Sequence, residues 1–450
     1  MPVIQIRRGL DVPIHGEADA SAIVDRLSAK ATALLPHQEA PGLKARPLVE
    51  EGATVQVGTP LLCDRRDERV LFCSPAAGRV EAIHRGPRRV VLGIQIAVDD
   101  FDSMVDFPEI NPLTADAETV REALRQSGFW PCLRQRPYDK VADSNESPSA
   151  LFINGADSAP LAASPHTLIR GRENAFRAGL QVLRRLTEGP VHLCTGPGED
   201  WSAFVVDGVQ HTIFSGPHPS GLVGTHIHKL HPVGHKRKVW HIDAQSTADI
   251  GQLFLTRRIP TTRVVAVTGP AAKTPKLVRT RRGISMLELL EGEVEATEGR
   301  VVNGSPLAGP EASPGTPAGF LGRYANQVTV LEDAVGRDLL GWALPVAGRF
   351  TQTNTLFDKF FRKRFKFDTD TNGSLRAIVP IGQYESVMPL DILPTQLVKA
   401  LLSHDLELAE QLGALELAEE DMALLEFVDN SKQPLTKMLR SMLETIEKES

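Results

Sequence analysis

Between about residue 42 and residue 100 the chain alternates apolar and polar positions in short runs: Leu48, Val55, Val57, Leu61 and Leu62, then Val70 to Phe72, Val80 and Ile83, and Val90 to Ile96. Side chains of a strand point alternately to opposite faces, so runs this short, broken by turns, predict a small all-β module. Proline-rich stretches at 108–112 and 131–148 then bracket a predicted helix over 117–126 and place a domain boundary near 110. From 149 onward strand and helix patterns alternate: strand 150–153, helix 172–187, strand 191–194, and further strands near 203–206 and 212–214. Such alternation predicts an α/β layer with a partly parallel sheet.

After about 258 the pattern changes again. Strands at 263–267, 276–279, around 301, 327–331 and 339–344, with a helix at 285–290 and a Gly/Pro loop over 303–319, predict a β-grasp-sized α+β unit. From about 354 the periodicity is helical, over 357–367, 394–404, 405–412, 418–427 and 434–448. The expected architecture is multidomain α+β. It has an N-terminal segment and β module (1–105), a degenerate Rossmann-like α/β domain (106–256), a β-grasp domain of the soluble-ligand-binding type (257–352) and a helical C-terminal region (353–450). Two Gly-containing turns beside alternating valines, at 52–58 and 74–80, resemble a lipoyl/biotinyl carrier module. No lysine stands between Lys44 and Lys140 to carry a prosthetic group within that module.

Composition narrows the choice of function. The 450 residues suffice for about three domains. With 50 Lys and Arg against 56 Asp and Glu, the net charge of −6 argues against nucleic acid as a partner. Cys63, Cys73, Cys132 and Cys194 form no Cys-x-x-Cys pair, which removes the usual zinc, thioredoxin and iron–sulfur signatures. The longest uncharged apolar stretch, 209–228, is interrupted by Gly, Pro and His, so no transmembrane helix is expected, and no export signal is visible.

Three longer motifs carry a resemblance: Arg8-Gly9-Leu10-Asp11-Val12-Pro13-Ile14, the run from Phe214-Ser215-Gly216-Pro217-His218 to Thr225-His226-Ile227-His228, and the run from Val379-Pro380-Ile381-Gly382-Gln383-Tyr384 to Ile392-Leu393-Pro394. With Phe320-Leu321-Gly322-Arg323-Tyr324 between them, the chain resembles NqrA, the first component of the sodium-translocating NADH:quinone reductase, over nearly its whole length. The resemblance implies a peripheral component on the cytoplasmic side of the bacterial inner membrane, catalytic only as part of the NADH:ubiquinone reductase complex that exports sodium. Its implied partners are the other components, NqrB to NqrF, chiefly the membrane-embedded NqrB. It also implies that NADH, flavins and iron–sulfur centres sit on those partners, with no tightly bound cofactor here and ubiquinone as a possible ligand. The middle domains look like those of the flavin-binding component of proton-pumping NADH dehydrogenase and of the related RnfC protein. The strand exits Asn154-Gly155-Ala156-Asp157 and Thr195-Gly196-Pro197-Gly198-Glu199-Asp200 nevertheless lack a glycine-rich phosphate loop, and the second places two carboxylates where phosphates would lie. Where the family's pattern has Cys-Pro before a lysine, this chain reads Asp429-Asn430-Ser431-Lys432.

Two sets of residues are candidates for function. Seven of the 13 histidines fall between His211 and His241. His226 and His228, read as alternate positions of a strand, would share a face, but no carboxylate or thiolate at ligand spacing completes a metal site. Ser215, His218 and His226 could instead donate hydrogen bonds to quinone carbonyls, with Phe214, Leu222 and Trp240 lining an apolar slot. The second set is a basic aromatic helix at 357–367, in which Phe360 and Phe361 lie on one face and Lys363 and Lys366 on the other, suited to a membrane surface or a membrane-embedded partner. The basic run Lys273, Lys276, Arg279, Arg281 and Arg282 reads as a solvated, partner-facing surface. The stripe Leu435, Leu439, Met442 and Ile446 on the last helix needs a partner, in this chain or in a neighbour.

Overall fold

The structure, a computed structural model, describes residues 1–294, 299–334, 350 and 364–449. Its central layer is a seven-stranded sheet in the order Val3–Gln5, Val209–Ser215, Val191–Thr195, Ala150–Gly155, Val239–Asp243, Arg134–Arg136, Lys140–Val141. The first five strands run parallel, and the last two pairings of the sheet are antiparallel. Strand Ala150–Gly155 is apolar on both faces, as a central parallel strand must be. Leu151 and Ile153 enter one core with Leu193, Trp240 and Ile242, whereas Ala150 and Phe152 enter another with Phe214 and Ile227.

Helices Glu173–Leu183 and Ala244–Thr256 cover the first face and cross each other at two glycines. A Cβ on Gly251 would lie 1.7 Å from the Ala175 carbonyl oxygen, and one on Gly179 would lie 2.0 Å from that of Thr247. Only glycine allows backbones this close. The predicted helix at 117–126 is present as Ala117–Gln126, capped where the Asp116 carboxylate accepts from the Thr119 N–H at 2.7 Å.

The N-terminal module pairs a four-stranded sheet (Ala31–Leu34, Val91–Asp100, Ala77–Arg85, Thr54–Val55) with a three-stranded one (Ala45–Pro47, Pro60–Asp64, Asp67–Cys73). Val57, Leu61, Phe72, Ile94 and Ile96 are fully buried between them, and this core runs on into that of the α/β layer through Leu124 and Trp130. The third unit is a five-stranded sheet in the order Gly299–Asn303, Gln327–Glu332, Thr262–Thr268, Lys276–Arg281, Asp19–Arg26. Residues 1–26 therefore do not join the N-terminal module with which the sequence groups them. Val3–Gln5 and Asp19–Arg26 instead close the open edges of the other two sheets, supplying partners to backbone groups that would otherwise be exposed.

Helices Gln383–Val387, Pro394–Ser403, Leu406–Gln411, Glu419–Val428 and Leu435–Glu449 form the C-terminal unit. The stripe Leu435, Leu439, Met442 and Ile446 packs into that unit's own core against Leu397, Leu401 and Leu424. Residues 203–206 form a turn rather than a strand, because Trp201 and Phe204 fold inward onto His166 and Phe176. The predicted strand at 339–344 and most of the predicted helix at 357–367 lie outside the described residues; 364–367 are not helical.

Candidate functional site

The carboxyl end of strand Val209–Ser215 turns at Gly216, where a Cβ would lie 2.1 Å from the Ile6 carbonyl oxygen, and leads into helix Val223–Leu230. His226 and His228 thus sit on a helix, not a strand. Val223, His226 and Ile227 bury one face by i, i+3, i+4 spacing, while His228 points elsewhere. The His226 ring lies against Phe214 with centroids 4.1 Å apart, and its Nε2–H donates to the Ser220 carbonyl at 2.9 Å. His218 Nδ1 is 3.1 Å from Ser158 Oγ, which also accepts from the Gly221 N–H at 2.8 Å. Burial lowers both imidazoles to about 4, so they are neutral at physiological pH.

The same loop grips the start of the chain. The His218 N–H donates to Asp11 Oδ1 at 2.8 Å, the His218 carbonyl accepts from the Leu10 N–H at 2.8 Å, and the Ser215 carbonyl accepts from the Ile6 N–H at 2.7 Å. The structure brings Phe214 and His226 into ring contact and places Ser215, His218 and Leu222 on the loop between the strand and the helix that carry them. It does not bring Trp240 to them. Trp240 lies on the opposite face of the sheet, edge-on to Trp130 at 5.4 Å, with its indole N–H donating to Gln135 Oε1 at 3.2 Å. Residues 152 and 240 alternate in register on neighbouring strands, so the apolar slot expected from sequence lacks that wall.

The helical C-terminal unit locks onto this region through charges that sequence reading missed. Arg136 is fully buried, and its Nη1 donates to Asp421 Oδ2 at 2.7 Å and to the Glu416 carbonyl at 2.9 Å. His228 Nδ1–H donates to Glu416 Oε2 at 2.8 Å, and His228 Nε2 accepts from the Asp391 N–H at 2.9 Å. Asp139 is partly withdrawn from water, which opposes ionisation, but the Arg134 cation, the hydrogen bond from His241 and the Arg136 cation hold its carboxyl well below the usual range. No spacing signal could have joined Arg136 to a residue 285 positions away.

Where the strand order reverses, between Ala150–Gly155 and Val239–Asp243, the five-stranded unit covers the carboxyl ends. Arg263 Nη2 donates to Asp243 Oδ1 at 3.2 Å and to Asn326 Oδ1 at 2.8 Å; Gln245 Nε2 donates to Asn326 Oδ1 and to the Val264 carbonyl, each at 2.8 Å; and Gln327 Nε2 donates to the Pro160 carbonyl at 3.1 Å. This crevice, the usual ligand position of an open α/β sheet, is filled by the chain itself.

Of the docking candidates, Phe360, Phe361 and Lys363 lie outside the described residues. Lys366 is exposed and pairs with Glu332 at 3.3 Å, and Phe365 is buried beside Ile14. The basic run is largely neutralised, since Lys276 pairs with Glu293, Arg279 with Asp25 and Arg282 with Asp249. Among the described residues no group of three or more His, Cys, Asp or Glu is placed to hold a metal, and no helix is long and apolar enough to cross a membrane.

Comparison with known proteins adds the lineage. An Alcanivorax borkumensis protein named as the NqrA component of Na(+)-translocating NADH-quinone reductase is 44% identical over 451 residues, covering 99% of this chain and 100% of its own. The chain belongs to the NqrA family. Relatives of the same name from Serratia proteamaculans and Neisseria meningitidis serogroup B are 43% and 41% identical over 452 and 451 residues, again across 99% of this chain and all of theirs. Three NqrA domain families match in order: the NqrA N-terminal barrel-sandwich hybrid domain at 4–99, the NqrA second alpha/beta domain at 115–259 and the NQRA C-terminal domain at 264–313. The first match takes in residues 4–26 as well as the N-terminal module, the second covers every strand of the seven-stranded layer except Val3–Gln5, and the third ends before strand Gln327–Glu332 of the five-stranded unit.

Proposed function

We propose that this chain is the peripheral, cytoplasm-facing docking component of a bacterial sodium-translocating NADH:quinone reductase. On this reading it is seated on the membrane-embedded components, chiefly NqrB, while NADH, flavins and iron–sulfur centres are held by its partners. One observation carries the docking role. Within the histidine-rich segment His218 is engaged by Asp11 and Ser158 and His228 by the C-terminal helices, and the sheet crevice is filled by the five-stranded unit. An enzyme-like scaffold whose ligand position is occupied by its own side chains serves assembly. On this reading the basic aromatic sequence around Phe360, Phe361, Lys363 and Lys366 is the segment that meets anionic headgroups or a membrane-embedded partner. In the intact complex, Lys363→Glu with Lys366→Glu is expected to weaken retention of this chain on membranes in a salt-dependent way. Unchanged co-purification at all salt concentrations would overturn this docking surface.

A second reading has one observation behind it. His218 is neutral and paired with Ser158 on the loop that follows the carboxyl end of strand Val209–Ser215, a few residues from the His226 ring that lies against Phe214, a composition suited to a quinone carbonyl. Titrating the purified chain with a short-chain ubiquinone, alongside His218→Ala, decides between the two. Saturable binding that the substitution abolishes favours a quinone site, and its absence favours docking alone.

A further inference from the structure

The N-terminal module carries an open groove of about 490 Å³ between two hairpin turns and strand Ala45–Pro47. Arg65 stands in the turn that joins Pro60–Asp64 to Asp67–Cys73. Arg85, Arg88 and Arg89 stand at the turn that joins Ala77–Arg85 to Val91–Asp100, and Arg46 stands on the strand. Glu68 is the one carboxylate among the described lining residues, and Arg46 takes it up at 2.6 Å. Arg65, Arg85, Arg88 and Arg89 are exposed and form no ion pair among the described residues. In a chain of net charge −6 this is a local concentration of positive charge. The basic run at 273–282 differs, since carboxylates of the chain meet most of its cations.

The second turn is closed where the Gly86 N–H donates to the Val90 carbonyl at 2.8 Å, and Arg88 and Arg89 both lie in the left-handed region, at φ 54° and 60°. Consecutive left-handed positions in a hairpin turn ordinarily fall to glycine and asparagine, because a β-carbon crowds the backbone there. Arginine at both is unfavourable for the turn itself, so the reason for it lies in the side chains. Exposed apolar residues flank these charges along the chain: Leu48 is 43% exposed and Val90 is 40% exposed. No aromatic ring stands among the described lining residues, which removes the platform on which a nucleobase stacks. Unpaired guanidinium groups, each able to give two parallel hydrogen bonds to a phosphate, next to exposed apolar side chains make up a surface suited to anionic phospholipid.

We propose that this groove is a contact surface for anionic phospholipid, with headgroup phosphates facing Arg65, Arg85, Arg88 and Arg89 and with Leu48 and Val90 meeting the acyl boundary. The choice of a lipid surface over an acidic protein segment rests on the reading that the chain works against a membrane. The groove shares no residue with the segment around Phe360 to Lys366, so the two contacts are tested separately.

The test uses the full chain and sedimentation with vesicles of phosphatidylcholine alone or mixed equally with phosphatidylglycerol. Binding is expected to the mixed vesicles only, and should fall steeply as potassium chloride is raised, because salt screens exposed charges. Each arginine near an anionic surface raises partitioning about fivefold, so Arg88→Asn with Arg89→Asn should weaken binding about twentyfold. Asparagine suits a left-handed turn, so these changes remove charge while preserving the fold. Arg88→Lys with Arg89→Lys should keep most of the binding. Arg170→Gln with Arg177→Gln, which removes the same charge from exposed positions of the α/β layer, should change it less than about twofold. An equal loss in that control, or binding unchanged by Arg88→Asn with Arg89→Asn, overturns the groove as the contact surface. If Lys363→Glu with Lys366→Glu alone abolishes binding, the groove falls and the docking reading stands; if only the arginine changes act, the groove stands and that docking segment falls. No binding of the unsubstituted chain to mixed vesicles overturns the lipid surface, and poorer co-purification of Arg88→Asn with Arg89→Asn in the complex then assigns the groove to an acidic partner instead.

Discussion

Arg136 and Asp421 meet at 2.7 Å with both side chains almost wholly out of water, and this pair joins the antiparallel edge of the seven-stranded sheet to the C-terminal helices. The Ala418 N–H donates to the same Asp421 oxygen at 2.9 Å, so one carboxylate both caps its helix and anchors the unit. Removing Asp421 leaves Arg136 with only the longer contacts to Glu420 at 3.3 Å and Asp139 at 3.7 Å, a loss at the low end of the about 3–5 kcal/mol that breaking a buried pair costs. Asp421→Ala should therefore lower stability in urea by that order and make residues 383–449 more susceptible to protease. Arg136→Met combined with Asp421→Leu should recover much of the loss, because neither charge then remains buried alone.

Gly224 lies under that carboxylate: a Cβ there would sit 2.2 Å from Asp421 Oδ1. Gly224→Ala is expected to destabilise by about 1–3 kcal/mol through overpacking. The penalty should shrink when Asp421→Ala is also present, and a double-mutant cycle in urea measures that coupling.

At the helix crossing, Gly251→Ala puts a methyl 1.7 Å from the Ala175 carbonyl oxygen, a backbone atom that cannot rotate away. Alanine gains about 1 kcal/mol in helix propensity over glycine, yet the overpacking should exceed this and leave a net loss seen as a lower urea midpoint.

His218 and His226 titrate at about 4 when folded, against 6.5 for the unperturbed side chain. In this direction the unfolded state takes up the proton first. Stability should hold above about pH 6.5 and fall as the pH drops toward 4, by roughly 3 kcal/mol per histidine at the limit. Urea midpoints at pH 7 and pH 5 check the slope. His226→Phe should flatten it while lowering stability at pH 7, since the Ser220 carbonyl loses its donor.

All four cysteines are buried and unpaired, and burial pushes the Cys73 thiol up to about 12 and the Cys194 thiol higher still. Thiol reagents act on the thiolate, so the native chain should react slowly at pH 7 and release four equivalents only on unfolding, as a colorimetric thiol assay would record.

How far sequence alone reaches follows the range of the forces involved. Helix Ala117–Gln126 is readable because Asp116, its cap, and the apolar stripe Val120, Ala123 and Leu124 are local features. The strands of the α/β layer are readable because central parallel strands are continuous apolar runs. Residues 203–206 mislead because Phe204 and Val206 mimic strand alternation while Trp201 draws the segment inward. The helical placement of His226 depends on Phe214 and Ile227 packing beneath the sheet, a tertiary fact. Trp240 misleads for a related reason: its face of the strand depends on register with strand Ala150–Gly155. The Arg136–Asp421 lock gathers residues from separate units, and nothing in the spacing of one unit announces its neighbour.

The first 26 residues give the molecule an order of completion. Strand Val3–Gln5 waits for Val209–Ser215, Gly9 and Asp11 wait for the His218 loop and for Ser386, and Asp19–Arg26 waits for Lys276–Arg281. Each of these partners lies some two hundred residues or more further along the chain, so the segment finds its place only after they have formed, like the cord that closes a parcel. Contacts this distant in sequence slow folding. They also make residues 3–26 a stretch where a disruptive substitution would be felt at once in two sheets, the histidine loop and the C-terminal helices.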